Sequence, residues 1–537
     1  MSVVCVLASS QKYHIYVILI VLQNKRKDMA SKSHFDKKLK IVGALITKLR
    51  EERGLTQEAL AEKIGTTQSG LARIESGEQN ITTETLAKIS GALEKNIIEV
   101  SKGGLNIEIE GGQTLSGTIE TKTSKNAAVG LLCASLLNHN TTLLKQVPKI
   151  EEVNRIIEVL ESIGVAVTWI GNDLEIKPPK TFSLEKMNIE SAIKTRSVIM
   201  LIGPLIHHLK NFAIPYAGGC RLGSRTINPH FFALEKLGLK IKTASKQYEI
   251  STKKLKPNYI VLYESGDTVT ENVLMASALI PGKTVIRFAS ANYQVQDVCF
   301  FLESLGVKIE GIGTTTLVVH GIEKIDQPIT HFLSEDPIDS MFFIATAILT
   351  KSSLTITRCP IDFLEIELLK LEKMGFKYKI LKRYKSKNGQ TNLVDIKTFP
   401  SALKALPDKI ESRPYPGLNI DNLPFFAVIA TQAKGQTLIH DWVYEERAIY
   451  YKELDKLRAD TILADPHRLY VNGPTELKGA EVVSPPALRP AAIILIGMLG
   501  ATGKSILRNI YSINRGYEDI IRRLQSLGAK IKVLRDF

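Results

Sequence analysis

The sequence predicts an α/β protein of six repeated units, preceded by a small all-α domain. The first sign is a recurring phrase: an amphipathic helix, Leu, a polar pair, an aliphatic residue, usually Gly, then a strand. It ends at Val167, Ile241, Ile309, Tyr378, Thr461 and Ile531, a spacing of about 70 to 80 residues, longer than that of solenoid repeats. The second sign lies upstream, where residues 38–100 read as short helices separated by glycine stops. The third is a change of texture at Ser101-Lys102-Gly103-Gly104, which marks a linker.

Composition sets the class. The chain has 537 residues, 44% hydrophobic and 23% charged, which is the profile of a globular protein of several domains. Its formal charge of +15 points to anionic partners, either nucleic acid or phosphorylated small molecules. The five cysteines form no CxxC pair, so neither a zinc site nor a disulfide framework is indicated. Cys133 and Cys299 sit in apolar helical patterns and read as core, and Cys359, before Pro360, as a turn residue. No metal and no cofactor is expected.

Residues 1–37 read as an extension, disordered or preceding the true start at Met29. Its apolar run, Tyr13 to Leu22, is shorter than the ~20 residues that span a bilayer. Lys25, Arg26 and Lys27 follow that run, the wrong side for a secretory signal. No membrane span is expected later, and a cytoplasmic location follows.

In residues 38–100, Ile41, Leu45 and Leu49 repeat at helical spacing up to Arg53-Gly54. Thr56 is suited to cap a second helix, Gln57 to Ile64, which Gly65 stops. Thr66 and Thr67 open a third, Gln68 to Glu75, ended by Gly77; Thr82 and Thr83 open a fourth with Leu86, Ile89 and Leu93. Two short helices joined by a tight Gly turn make a helix-turn-helix. The stretch LTQEALAEKIGTTQSGLARIESGEQNIT resembles the phage-repressor-like (Xre and Cro type) DNA-binding family. That resemblance implies a phosphate contact for Gln57 and base-edge contacts for Gln68 and Ser69, with Arg73 on the DNA backbone or solvated. A four-helix cap for dimerisation or protein contact is the other reading.

In the repeats, Gly164, Gly238, Gly306, Gly375 and Gly528 stand at the end of each helix, with Arg458 at the fifth position. Each reads as a helix C-cap feeding a strand. No single unit can bury its own apolar face, so the six imply a pseudo-symmetric assembly.

Candidate chemistry clusters in short motifs. GGCRLGSR, Gly218 to Arg225, is a glycine-rich loop in which Arg221 and Arg225 flank Cys220. Nearby cations favour the thiolate, although an ordinary loop thiol fits the same letters. TKTSKNAA sets Lys125 and Asn126 between a strand and an apolar helix, a position suited to phosphate. IKTRSVIMLIGPLI puts Arg196 at the head of a strongly apolar helix, where arginine normally needs an anionic partner. RPYPGLNIDNLPFF places Asp421 in a Pro-Gly loop where it can cap the next helix. Arg447, Arg489 and Arg515 lie on loops beside apolar runs, a set that suits a substrate carrying one carboxylate and one phosphate.

From about residue 105 onward these motifs, with the six repeats in two groups of three, resemble the enolpyruvyl transferase family, in its branch acting on UDP-N-acetylglucosamine. The resemblance implies a two-domain inside-out α/β barrel of six repeats with the site in the cleft between domains. One domain would take 105–124 and 334–537, the other 125–333. It implies enolpyruvyl transfer from phosphoenolpyruvate to the sugar 3-hydroxyl of UDP-N-acetylglucosamine, the first committed step of peptidoglycan synthesis. Cys220 would be the proton donor or form a covalent adduct, Asp421 the base, and Lys125 and Asn126 would meet both substrates. Arg196 and Arg225 would bind phosphoenolpyruvate, and Thr226, Ile227 and Asn228 the uridine nucleotide. Val443, Arg447, Arg489 and Arg515 would line the cleft.

The chain departs from the family pattern. Ala487 and Asn514 replace aspartates, Pro337 replaces an arginine, and ESGDTVTEN (264–272) replaces a Ser-Val-Gly-Ala-Thr nucleotide segment. These departures, with the helix-turn-helix, sustain an alternative: a DNA-binding regulator whose transferase-like part senses a cell-wall precursor. The shikimate-pathway branch lacks the GGC loop, so Cys220 argues against it. Oligomeric state is not legible.

Overall fold

The computed structural model describes residues 2–10, 13–21, 43–44, 46–47, 50–51, 55–79, 81, 85, 88–89, 92, 105–216, 218 and 226–534. They fall into two units, residues 1–106 with 533–537 and residues 107–532.

In the first unit, Ser2–Ser10 and Tyr13–Val21 pair as an antiparallel hairpin. Helices α1 (Gln57–Ile64) and α2 (Gln68–Glu75) have the bounds that the caps predict. Thr56 and Thr67 cap them, accepting the Ala59 and Gly70 N–H groups at 3.1 Å each. Gly65 takes the left-handed conformation at φ 70° between them. A side chain there would be strained. Leu60, Ile64, Leu71 and Ile74 are buried. Ile41, Leu45, Leu49, Thr82, Thr83, Leu86 and Leu93 lie outside the described residues.

The second unit holds six small sheets, one for each repeat. The strand that follows each repeated helix is the edge strand of its own sheet: Ala166–Ile170, Leu239–Thr243, Lys308–Glu310, Lys377–Lys385, Asp460–Asp465 and Lys530–Leu534. The glycines before them have φ between 94° and 109°. Arg458 adopts the same left-handed backbone at φ 66°, so the geometry of the cap persists where its usual residue is lost. Three sheets take all their strands from 142–332; the other three use 106–120 and 353–534. The chain passes between these halves on two adjacent segments. Thr123 bridges Glu335, Ser124 N–H donates to the Ser334 carbonyl at 2.8 Å, and Asp336 N–H to that of Lys122 at 2.8 Å.

The helices are inside and the sheets outside. In one half α3 (Lys125–Ala134), α4 (Asp267–Ala278) and α5 (Tyr293–Ser304) pack on one another. In the other, α6 (Pro337–Leu349), α7 (Leu423–Ala430) and α8 (Leu488–Gly500) do so. Every residue of α6 and α7 is buried. A helix buried all round belongs in a core; α7 is apolar throughout, while α6 carries buried Asp339, Ser340 and Thr346. Cys133 and Cys299 are buried on α3 and α5. Cys359 is also buried, within strand Ser353–Pro360; the turn predicted from Pro360 is replaced by strand pairing to Asn392–Phe399, which carries a register shift there. No helix of the described residues is long and apolar enough to cross a membrane.

Candidate functional site

A cleft of about 910 Å³ opens where the central helices begin. Lys125 and Asn126 open α3, Gly266 and Asp267 open α4, and Asn292 caps α5. Asp421 precedes α7, and Ala487 to Arg489 open α8. All of these line the cleft, and Asp336, the cap of α6, lines a small pocket beside it that shares Lys125. Helix N-termini carry a partial positive charge, so several of them facing one cleft favour an anion there.

Asp421 is the carboxylate among cations. Arg489 Nη2 donates to its Oδ2 at 3.2 Å, and Arg447 Nη1 lies 3.9 Å from its Oδ1. Burial alone would raise the Asp421 carboxyl; Arg489, Arg447 and Lys125 outweigh it and hold the group below its ordinary range. It does not cap the helix, as the sequence suggested: the cap position belongs to Asn422, whose side chain makes no capping bond. The carboxylate is turned to the arginines instead.

Arg447 is fully buried, which requires a matched anion. Asp441 supplies it, accepting from Nε at 2.6 Å and Nη2 at 2.9 Å, while Tyr451 donates to the same carboxylate at 2.6 Å. Nη2 also donates to the Ile420 carbonyl, fixing the loop beside Asp421. Arg489 Nη1 meets the Tyr517 hydroxyl at 3.0 Å. Arg515 Nε donates to Glu152 Oε2 at 2.7 Å, and Thr195 donates to the other oxygen at 2.5 Å. Burial would raise Glu152, but Lys125 and Arg515 lower it. Arg196 Nη2 donates to the Thr226 carbonyl at 2.7 Å, and Asn228 N–H to Thr226 Oγ1 at 3.1 Å. Asn126 Nδ2 donates to the Tyr293 hydroxyl at 3.2 Å.

Lys125, Asn126, Arg196, Thr226, Asp421, Val443, Arg447, Arg489 and Arg515 are thus brought to one cleft. Asn228 begins a helix beside it and Ile227 is buried under that turn. Cys220, Arg221 and Arg225 lie outside the described residues. Sequence reasoning missed Glu152, Asp441 and Tyr517, the partners of Arg515, Arg447 and Arg489, and Asp336, which caps α6.

In the first unit, α1 and α2 carry a chain of side-chain bonds. Gln68 Nε2 donates to Gln57 Oε1 at 2.9 Å, and Gln57 Nε2 to Glu75 Oε2 at 2.8 Å. Buried Glu75 also takes Arg50 Nε at 2.8 Å. Ser69 and Arg73 are exposed on α2.

An EPSP synthase (3-phosphoshikimate 1-carboxyvinyltransferase) family model matches residues 109–524, and a helix-turn-helix model matches 46–100. A UDP-N-acetylglucosamine 1-carboxyvinyltransferase of Treponema denticola is 33% identical over 417 residues, 76% of this chain and 95% of the relative. One from Bradyrhizobium diazoefficiens is 33% identical over 421 residues, covering 77% and 94%. The chain belongs to the enolpyruvyl transferase family. The crystal structure of the enolpyruvyl transferase NikO from Streptomyces tendae shares the fold at TM-score 0.68 and 23% identity, covering 80% of this chain and 99% of that one.

As an enolpyruvyl transferase, the chain shows where its departures fall. Pro337 is the first residue of α6, where its missing N–H costs nothing, and Asp336 caps that helix through the Ile338 N–H at 2.9 Å. Ala487 holds the cap position of α8 with no side chain able to cap. Within 264–272, Asp267 turns to Ser290 at 2.5 Å and Asn292 at 3.0 Å, and burial pushes its carboxyl up. Glu271 and Asn272 are fully buried, so this part of the departure is core rather than cleft. Asn514 ends the short helix Tyr511–Asn514.

Proposed function

We propose that the chain transfers enolpyruvate from phosphoenolpyruvate to the 3-hydroxyl of UDP-N-acetylglucosamine, releasing phosphate, the first committed step of peptidoglycan synthesis, in the cytoplasm. The observation that carries this reading is Asp421, a cleft carboxylate kept ionised by Arg489, Arg447 and Lys125. An ionised carboxylate within reach of a hydroxyl is what a general base requires.

In this reading Asp421 takes the proton of the sugar hydroxyl as its oxygen attacks the central carbon of phosphoenolpyruvate. The methylene carbon gains a proton, a role the family resemblance assigns to Cys220. The resulting tetrahedral adduct loses phosphate by C–O cleavage and a proton from the methyl carbon, which restores the enol ether. Lys125, Arg196, Arg225, Arg489 and Arg515 hold the carboxylate and phosphate and stabilise charge in the adduct. Thr226, Ile227 and Asn228 meet the uridine nucleotide, Asn126 meets the substrates beside Lys125, and Val443 and Arg447 shape the acceptor side.

A second reading is supported by the Gln68–Gln57–Glu75 chain of hydrogen bonds. It pre-orients an exposed Gln at the start of α2, and Gln can pair bidentately with adenine. We propose that residues 38–100 bind DNA through Gln57, Gln68, Ser69 and Arg73.

Phosphate release from phosphoenolpyruvate, measured with and without UDP-N-acetylglucosamine and beside Cys220→Ser, tests the first reading. Release that depends on the sugar nucleotide supports it. Tight binding of the sugar nucleotide with no turnover would instead favour a ligand-sensing DNA-binding protein.

A further inference from the structure

Strands Tyr259–Val261 and Gly282–Arg287 run parallel with Val261 opposite Arg287, and Leu262 N–H donates to the Arg287 carbonyl at 3.0 Å. The next residue of each chain beyond that bond, Tyr263 and Phe288, lines the cleft. Ligands of open α/β sheets bind beyond the carboxyl ends of such strands. Both rings are open to solvent, Tyr263 at 73% and Phe288 at 49%, and so is Phe232 at 48%. Phe232 stands one turn after Asn228 and meets Tyr263 edge to face, with centroids 5.7 Å apart. Ser265 Oγ donates to the Ala289 carbonyl at 3.3 Å, tying the two loops together.

Phe288 is the sharper observation. Its φ is +60°, a region in which a bulky L residue is an outlier. Asn or Gly would hold the same turn without strain. Gln146, Arg358 and Asn509 take the same backbone, φ 56° to 61°, at or near the end of the corresponding strand in other repeats, so the turn belongs to the repeat and the aromatic ring is what is particular to this one. Here the turn holds that ring at the cleft mouth.

We propose that Tyr263, Phe232 and Phe288 form the face on which the nucleobase of the sugar-nucleotide substrate stacks, so that they determine specificity for a nucleotide acceptor over a bare sugar phosphate. This rests on the transferase reading above. None of the three is among the residues carried over by the family resemblance. Stacking needs only a flat ring, and an edge-to-face pair such as Phe232–Tyr263 leaves one ring face free to receive it.

The test uses the full chain and the variants Tyr263→Ala, Phe232→Ala and Phe288→Asn, with UDP and N-acetylglucosamine 1-phosphate as probes. Aromatic-to-Ala changes at stacking sites weaken binding by roughly 5- to 150-fold. A loss in that range is expected for UDP, with N-acetylglucosamine 1-phosphate unchanged, KM for the sugar nucleotide raised and kcat and KM for phosphoenolpyruvate held. Phe288→Asn is expected to raise the thermal unfolding midpoint while weakening UDP, a pair of opposite signs that a purely structural ring does not give. UDP affinity unchanged in all three variants overturns the proposal. So does an equal loss for the sugar phosphate, which would assign the rings to the sugar, and so does absence of UDP binding in the parent. Absence of turnover with UDP binding and its ring dependence intact sinks the transferase reading alone and supports the aromatic face.

Discussion

Arg489 and Asp421 meet at 3.2 Å across 68 residues of sequence, each at the start of a buried helix from a different repeat. The contact favours the charged form of the carboxylate, together with Arg447 and Lys125, and with Tyr517 it orients the guanidinium. Asp421→Asn keeps the shape and removes the basic oxygen. It is expected to lower kcat by roughly 10²- to 10⁴-fold with little change in KM, measured by steady-state phosphate release. A variant with full kcat would remove Asp421 from the role of base.

Arg447 and Asp441 are paired with almost no exposure. Breaking one side of such a pair leaves a buried charge alone, at a cost of about 3–5 kcal/mol. Asp441→Asn is therefore expected to destabilise the second unit by that order, read from chemical denaturation. It should also slow turnover, since Arg447 anchors the Ile420 carbonyl beside Asp421.

The acid–base behaviour of stability has opposing contributions. Burial raises the Asp336 carboxyl to about 6 in spite of Arg489, and Asp339 adds to the rise. A carboxyl whose pKa is higher folded than unfolded stabilises the fold below its unfolded pKa, near 4. That contribution is lost as pH rises through about 6. Asp421 and Glu152 are lowered instead, so their contribution is present above the ordinary carboxylate range and is lost on acidification. Asp336→Asn retains an oxygen to cap α6. It is expected to exceed the parent in stability at about pH 8, by on the order of 3 kcal/mol, and to match it near pH 4. Equal stability at both values would show that Asp336 is not held up.

Arg458 adopts a left-handed conformation that its five counterparts reach with glycine. An L side chain there costs roughly 1 kcal/mol. Arg458→Gly is expected to raise stability by about that amount in urea melts, with transfer activity unchanged. A destabilised variant would mean that the Arg458 side chain makes up for its strain.

Much of this was legible because it is local. The Gly positions of the repeats and the Thr caps of α1 and α2 each follow from a few adjacent residues. The arginines and Lys125 were legible as cations before apolar helices. Their anchors were not. Glu152 meets Arg515 across 363 residues, and nothing in EEVNRI distinguishes that glutamate from a solvated one at a helix start. The capping role open to Asp421 fails for the same reason. A Pro-Gly loop before a helix is a capping signal, and only Arg489, far downstream, pulls the carboxylate away. The ring of Phe288 was invisible because backbone handedness leaves no mark on a single letter.

Five central helices open onto the cleft and a sixth opens beside it. Each N-terminus carries about half an elementary charge. Together they amount to a fixed positive potential of roughly two to three charges that no proton can titrate and no single side-chain substitution can delete. Affinity for anions is therefore a property of the repeat itself, set once by how its helix points. The side chains of the cleft are left to choose among anions.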